Sequence, residues 1–195
     1  MTPSSRLVLA SSSTYRKALI ARLGLDCRTA IPDIDERALP AEAPAATALR
    51  LAQAKARKIA EHEPAALIIG SDQVAVLEDQ LIGKPGSHAA AVLQLQAMSG
   101  KTVVFHTALC LLNSETHVVQ LANVPTTVRF RKLDDAQIER YLQQDQPYDC
   151  AGSAKIEALG ITLVEQVESD DPTALIGLPL ITLVTMLQKE GIPIP

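Results

Sequence analysis

Two short apolar runs constrain this chain most. Leu7-Val-Leu-Ala10 ends in Ser11-Ser-Ser13, and Ala66-Leu-Ile-Ile69 runs into Gly70-Ser-Asp-Gln73. Apolar runs this brief, closed by small polar residues, read as strands followed by turns. Behind the first run, Tyr15 to Leu23 has helical spacing, and Gly24 stands where a helix-terminating glycine belongs. The chain therefore opens as strand, serine turn and helix.

The alternation continues. Ile31 to Pro44 is rich in proline and acids and reads as a loop. Ala45 to about His62 has helical periodicity, which also accounts for the alanine-rich patch at 41–56. Lys84-Pro85-Gly86 marks a turn, and Ser87 can cap a helix through about Met98. Thr102 to Asn113 and Val118 to Leu133 are β-rich, with alternation at Val103, Phe105, Thr107, Leu109 and Leu111. Asp134-Asp135 opens a helix ending near Asp145. Ile161 to Val164 reads as a late strand, and Gly177-Leu-Pro179 leads into a final amphipathic helix to about Glu190, with proline near its first position. Strands alternating with helices favour an α/β or mixed α+β fold.

At 195 residues the chain suits one domain, or two small lobes around one cleft. Its 47% hydrophobic and 21% charged residues exclude a disordered chain. Apolar stretches such as Ala65–Gly70 and Thr107–Leu112 are far too short to cross a bilayer, so no membrane partner is expected. Met1 to Arg6 shows no apolar segment before a cleavage site, so no secretory leader is expected. Cys27, Cys110 and Cys150 fit neither a disulfide framework nor a zinc site, which points to a cytoplasmic protein. The net charge of −4 means that an anionic ligand requires positive charge gathered locally. With 3% aromatic residues and no tryptophan, a base-stacking surface or other nucleic-acid module is disfavoured.

Several polar segments can carry chemistry. In Ser11-Ser-Ser-Thr-Tyr-Arg16, hydroxyls and backbone N–H groups at a helix start, with an arginine one turn in, can cradle phosphate. A helix N-cap with an exposed arginine is the plainer reading. Neither a P-loop nor a dinucleotide fingerprint is present. Asp72 follows an apolar strand, at the carboxyl edge where open α/β sheets bind ligands. It can hold a divalent ion or take a proton from water, or merely form a turn. Lys84 before its turn reads as solvated, and Glu157 and Glu36 are unremarkable alone. Lys55 stands out because Leu51 and Ile59 share its helix face, so it either snorkels or reaches into a site. His62, His88, His106 and His117 show no metal spacing, and no G-x-S-x-G elbow supports a serine nucleophile. Cys150, without a placed histidine, reads as a buried thiol.

Taken in order, eight segments carry a resemblance. They are Leu9-Ala-Ser-Ser-Ser-Thr-Tyr-Arg16, Asp35-Glu36, Leu51-Ala-Gln-Ala-Lys-Ala56, Ile69-Gly-Ser-Asp-Gln73, Gly83-Lys-Pro85, Val128-Arg-Phe-Arg131, Tyr148-Asp-Cys-Ala-Gly152 and Ile176-Gly-Leu-Pro179. Through them the chain resembles the Maf family of nucleotide pyrophosphatases from about Leu7 to Gly191. The resemblance implies a single Maf/ITPase-like domain over residues 1–195. Its central mixed sheet would be flanked by helices, with two lobes around a nucleotide cleft. It further implies hydrolysis of a nucleoside triphosphate between the α and β phosphates, with a divalent cation, Mg2+ or Mn2+. Asp72 would be the catalytic carboxylate that activates water and, with Glu36, would hold the metal. Ser11, Ser13, Arg16, Lys55 and Lys84 would bind the phosphates.

The departures from the common family pattern are informative. Many members carry Ser-Pro-Arg-Arg where this chain has Ser13-Thr-Tyr-Arg16, Ala-Asp-Thr where it has Ser71-Asp-Gln73, and glutamine where it has Glu157. The variants here resemble the branch acting on 7-methyl-GTP rather than the dTTP/UTP branch, with Tyr15 where that branch often has tryptophan. An aromatic face attracts the positive ring charge of methylated guanine. A glutamate can accept from the guanine N1–H and amino groups. Tyr15, Gln73 and Glu157 are thus the expected specificity residues, and 7-methyl-GMP and diphosphate the expected products, an activity that removes modified nucleotides. A dTTP/UTP or other non-standard nucleotide pyrophosphatase is one alternative. A non-enzymatic nucleotide-binding regulator of cell division, an association reported for the family, is another. A small-molecule triphosphate is the expected partner, and a homodimer is common for folds of this size. Arg131, Cys150 and Lys155 are expected along the cleft, with their roles open.

Overall fold

A computed structural model describes residues 6–194; the expectation of no leader rests on Met1 to Arg6 and so falls largely outside them. The elements in chain order are β1 (Arg6–Ala10), α1 (Thr14–Ala21), β2 (Cys27–Ala30), α2 (Pro44–Ala60), β3 (Ala66–Leu77), β4 (Gln80–Ile82) and α3 (His88–Met98). They continue with β5 (Thr102–Asn113), β6 (Val119–Phe130), α4 (Asp135–Asp145), β7 (Val164–Ser169) and α5 (Leu180–Lys189). Among the described residues the strands form one seven-stranded sheet, ordered β2-β1-β3-β5-β6-β7 with β4 paired to β3. β1 runs parallel to β2 and β3, whereas β3–β4 and β6–β7 are antiparallel. The sheet is thus mixed and flanked by helices, the class that the alternation of elements implied. No helix of the described residues is long and apolar enough to cross a membrane.

The chain divides into two compact units. Residues 6–72, 107–124 and 171–194 form the first. Strand side chains alternate between faces, and here Leu7, Leu9, Leu67, Ile69, Leu109 and Leu111 pack with residues of α1 and α5 in one apolar cluster. On β3 the alternate position, Gly70, turns to the other face and meets α2. A Cβ at Gly70 would lie 2.1 Å from the Ala52 carbonyl oxygen and 3.1 Å from Ala56 Cβ. The alanine-rich patch therefore marks a helix whose small buried residues, Ala48, Ala52 and Ala56, let its backbone approach the sheet.

Residues 73–106 and 125–170 form the second unit, in which α3 packs on α4. The Ser87 hydroxyl accepts from Ala90 N, and Asp134 and Gln137 complete a reciprocal capping box, so both helices begin where their caps predict.

Three local expectations need correction. Residues 70–73 are not a loop, because β3 continues to Leu77. Its polar residues are tolerated because each has a partner: Ser71 Oγ lies 2.8 Å from the Ala108 carbonyl and 2.9 Å from that of Gly177, and Asp72 meets Lys55. The late strand begins at Val164, since Leu159–Leu163 form a 3-10 turn closed by Val164 N–H on the Ile161 carbonyl. Pro179 occupies the cap of α5 rather than its first turn, and buried Asp171 accepts from Ile181 N at 2.7 Å. The short strands β2 and β4 lie in segments whose sequence showed no strand pattern.

Gly70→Ala is expected to destabilise the protein by about 2–3 kcal/mol, the cost of overpacking against backbone. The corresponding fall in Tm, roughly 4 °C or more for this length, is checked by thermal melting.

Candidate active site

Helix α2 buries a stripe of Leu51, Lys55 and Ile59, and Lys55 is only 5% exposed. Lysine reaches that depth because anions meet it. Its Nζ lies 2.6 Å from Asp72 Oδ1 and 2.8 Å from Glu36 Oε1. Asp72 is 7% exposed, whereas the Glu36 side chain is 55% exposed, so the cluster runs from the interior to the surface. Asp72 stands two residues past Gly70, which pairs with the last residue of β1. It therefore occupies the carboxyl edge of the parallel strands, although its own strand continues. Two carboxylates on one ammonium leave the trio one negative charge in excess.

The serine turn before α1 is held by its own hydroxyls. Ser13 N–H donates to Ser11 Oγ at 3.1 Å, and Ser13 Oγ accepts from Arg16 N at 3.3 Å. The N-cap is thus real, but Arg16 is half-buried rather than exposed. Its Nε donates to the Gly177 carbonyl at 2.8 Å. Burial lowers the Arg16 pKa, and the charges of Asp72 and Glu36 oppose that shift. Gly177, at φ +116°, offers the same carbonyl to Ser71, and a Cβ there would lie 3.4 Å from Arg16 Nε. Tyr15, one residue before Arg16, is half-buried on α1.

Glu36 lies in the loop that was expected over Ile31 to Pro44. Arg50 of α2 forks Glu42 with Nε and Nη2, each at 2.7 Å, and also donates from Nη2 to the Arg37 carbonyl at 3.1 Å. Glu42 accepts further bonds from Leu39 N and Thr47 Oγ1.

Residues 6–190 match the family described as Maf-like protein. The chain belongs to the Maf family. Curated relatives named 7-methyl-GTP pyrophosphatase extend the match over nearly full length. The one from Cupriavidus metallidurans is 58% identical over 96% of this chain and 94% of the relative. The one from Aromatoleum aromaticum is 56% identical over 98% of each chain, and that from Thiobacillus denitrificans 56% identical over 98% and 95%.

In this Maf chain the remaining predicted residues, Gln73, Lys84 and Glu157, belong to the second unit. Lys84 is exposed, in a loop pinned by Gln94 Nε2 on the Gly83 carbonyl (3.0 Å) and by Gly86 N–H on the Tyr148 carbonyl (3.0 Å). Glu157 is exposed in a turn where Ala158 and Gly160 both donate to the Lys155 carbonyl. Gln73 is half-buried beside Asp72 in β3. Lys155 Nζ donates to the Asp145 carbonyl at 2.9 Å, capping the end of α4, and Arg131 is exposed. The three cysteines carry free thiols, and Cys150 is half-buried rather than buried as its sequence suggested. Burial pushes Cys27 up to about 11 and Cys110 up to about 12, the opposite of what a thiolate nucleophile needs.

A hard divalent cation fits the donor set. Among the described residues no cluster of three or more His, Cys, Asp or Glu forms a closed cage. Two convergent carboxylates are instead what Mg2+-type sites use when substrate phosphates complete the shell. Sequence reasoning assigned no role to Ser71, Arg50, Glu42 or the carbonyl of Gly177, although Ser71 and Gly177 belong to matching motifs. Their partners lie far off in the sequence, or in a contact no spacing rule describes.

The Glu42 carboxyl is held down at about 2, first by the Arg50 guanidinium and then by Leu39 N and Thr47 Oγ1, against an ordinary value of 4.5. A depressed carboxyl stabilises the fold fully above its ordinary value and loses that contribution as pH falls toward the folded one. Wild type should therefore melt above Glu42→Gln at neutral pH. The gap is expected to close between about pH 4.5 and pH 2, as read by thermal melts across pH.

Proposed function

We propose that this protein hydrolyses 7-methyl-GTP to 7-methyl-GMP and diphosphate. The observation that carries the chemistry is the trio in which Glu36 and Asp72 share the buried Lys55 ammonium, with Arg16 electrostatically coupled to both acids. The names of relatives matching nearly the whole chain support the substrate. So do Tyr15, Gln73 and Glu157, which stand where the family pattern varies.

Asp72 takes the proton from the attacking water. The water oxygen bonds to phosphorus, the bridging P–O bond between the α and β phosphates breaks, and its electron pair leaves with diphosphate. Lys55, Arg16 and Lys84 offset the negative charge on the departing phosphates, and the hydroxyls of Ser11 and Ser13 lie at the start of α1, where backbone N–H groups favour anions. Glu36 and Asp72 would hold a divalent cation, Mg2+ or Mn2+, which when bound adds positive charge to the phosphate oxygens. The aromatic face of Tyr15 attracts the positive ring of the methylated base, and Glu157 accepts from its N1–H and amino groups.

The test is pyrophosphate release from 7-methyl-GTP, GTP, UTP, dTTP and ITP with Mg2+ or Mn2+. A clear preference for 7-methyl-GTP is expected. Preference for UTP or dTTP overturns the substrate, and no release from any of them overturns the enzyme reading. Asp72→Asn is expected to lower kcat by about a hundredfold or more while the circular dichroism spectrum stays native. Retained activity removes Asp72 as the base. Glu157→Gln should narrow the ratio of 7-methyl-GTP to UTP turnover, and an unchanged ratio removes Glu157 from base recognition.

A further inference from the structure

The loop carrying Glu36 has little backbone structure of its own. Over 31–43 no helix or strand is present, and Glu42 N–H to the Leu39 carbonyl is its one turn-type backbone hydrogen bond among the described residues. A segment of that length held by so little should sample many conformations. What ties it down is side-chain chemistry. Within the loop the Asp35 carboxylate accepts from Arg37 N–H at 3.0 Å and pairs with the exposed Arg37 guanidinium at 2.6 Å. The restraint that fastens the loop to the fold comes from α2. Arg50 closes a fork on Glu42 with two 2.7 Å bonds and, through the same guanidinium, binds the carbonyl of Arg37, the residue after Glu36. Five residues along the same helix, Lys55 takes the Glu36 carboxylate itself. The Glu42 side chain is 12% exposed and that of Arg50 32%, so the fork is shielded more than a usual surface pair. A planar guanidinium can serve a carboxylate and a carbonyl at once, whereas an ammonium is a single point.

We infer that Arg50, braced by Glu42, is a positioning residue that holds the backbone of the Glu36 loop so that Glu36 reaches the divalent cation and Asp72. It touches neither substrate nor metal. Its effect is to remove the conformational freedom that Glu36 would otherwise lose each time the cation binds. Partners that orient a ligating carboxylate typically matter by about 10–100-fold in metal affinity or activity. The inference rests on the proposed role of Glu36 and is chosen to fail separately from it.

The experiment compares wild type with Arg50→Met, Arg50→Lys and Glu42→Gln. Amide hydrogen exchange over residues 34–39 is measured without nucleotide, and the Mn2+ concentration giving half-maximal turnover is measured at saturating 7-methyl-GTP. Arg50→Met should speed exchange in the loop about tenfold or more, while amides of Leu51 to Ile59 keep their protection. It should raise the Mn2+ half-saturation about tenfold, with KM for the nucleotide within about twofold of wild type. Glu42→Gln should move both readouts in the same direction, and Arg50→Lys should recover only part of the loss. Unchanged loop exchange in a folded Arg50→Met overturns the inference. So does a loosened loop with unchanged Mn2+ dependence. If wild type turns over no nucleotide, the functional reading falls, while the exchange comparison still decides whether Arg50 holds the loop.

Discussion

The candidate site depends on how closely the backbone of α2 approaches β3. Gly70 admits that approach, because a single methyl group there would sit 2.1 Å from the Ala52 carbonyl. Everything α2 carries is placed by this contact. Lys55 lies three residues beyond Ala52 and reaches Asp72, two residues beyond Gly70, at 2.6 Å. A helix moves as a rigid body over such distances, so displacing α2 by about an ångström would open an ion pair whose optimum lies near 2.8 Å.

The charges in this arrangement are costly apart and tolerable together. An ammonium as buried as Lys55 requires anions, and Asp72, equally buried, requires a cation or donors. Each side chain therefore holds the other in place before any substrate arrives. Glu36 extends the cluster to solvent, since its side chain remains 55% exposed while in contact with the same nitrogen. The cluster thus keeps one of its two carboxylates within reach of solvent while the other stays buried.

Around Gly177 and the start of α5, several polar side chains of the first unit are met by backbone groups. The Gly177 carbonyl receives Arg16 from α1 and Ser71 from β3. Asp171 takes the first amides of α5, and Thr173 Oγ1 bonds to both the Leu178 carbonyl and Leu180 N. The segment before α5 is thereby shaped by side chains, much as Arg50 and Glu42 shape the loop before α2. In both places, irregular chain beside the candidate site is held by buried or shielded polar bonds rather than by a ladder.

Local rules alone determined a good part of this protein. Alternation and capping in the sequence placed α1 to α5, β1, β5 and β6 close to where they lie, because helix period, N-caps and strand alternation depend on near neighbours. Lys55 stood out for the same reason, an ionisable residue on an apolar stripe. Family resemblance, carried by eight short segments in order, assigned the chain to Maf. Tertiary structure decided the rest. It made residues 70–73 a strand, because Ser71 and Asp72 find partners 37 and 17 residues away. It turned Arg16 from a surface residue into an anchored one, 161 residues from the carbonyl it binds. It set Glu36 against Lys55 through a loop with no period to read. Whether a polar residue breaks a strand or serves a site depends on a partner brought close in space, and spacing along the chain does not encode that partner.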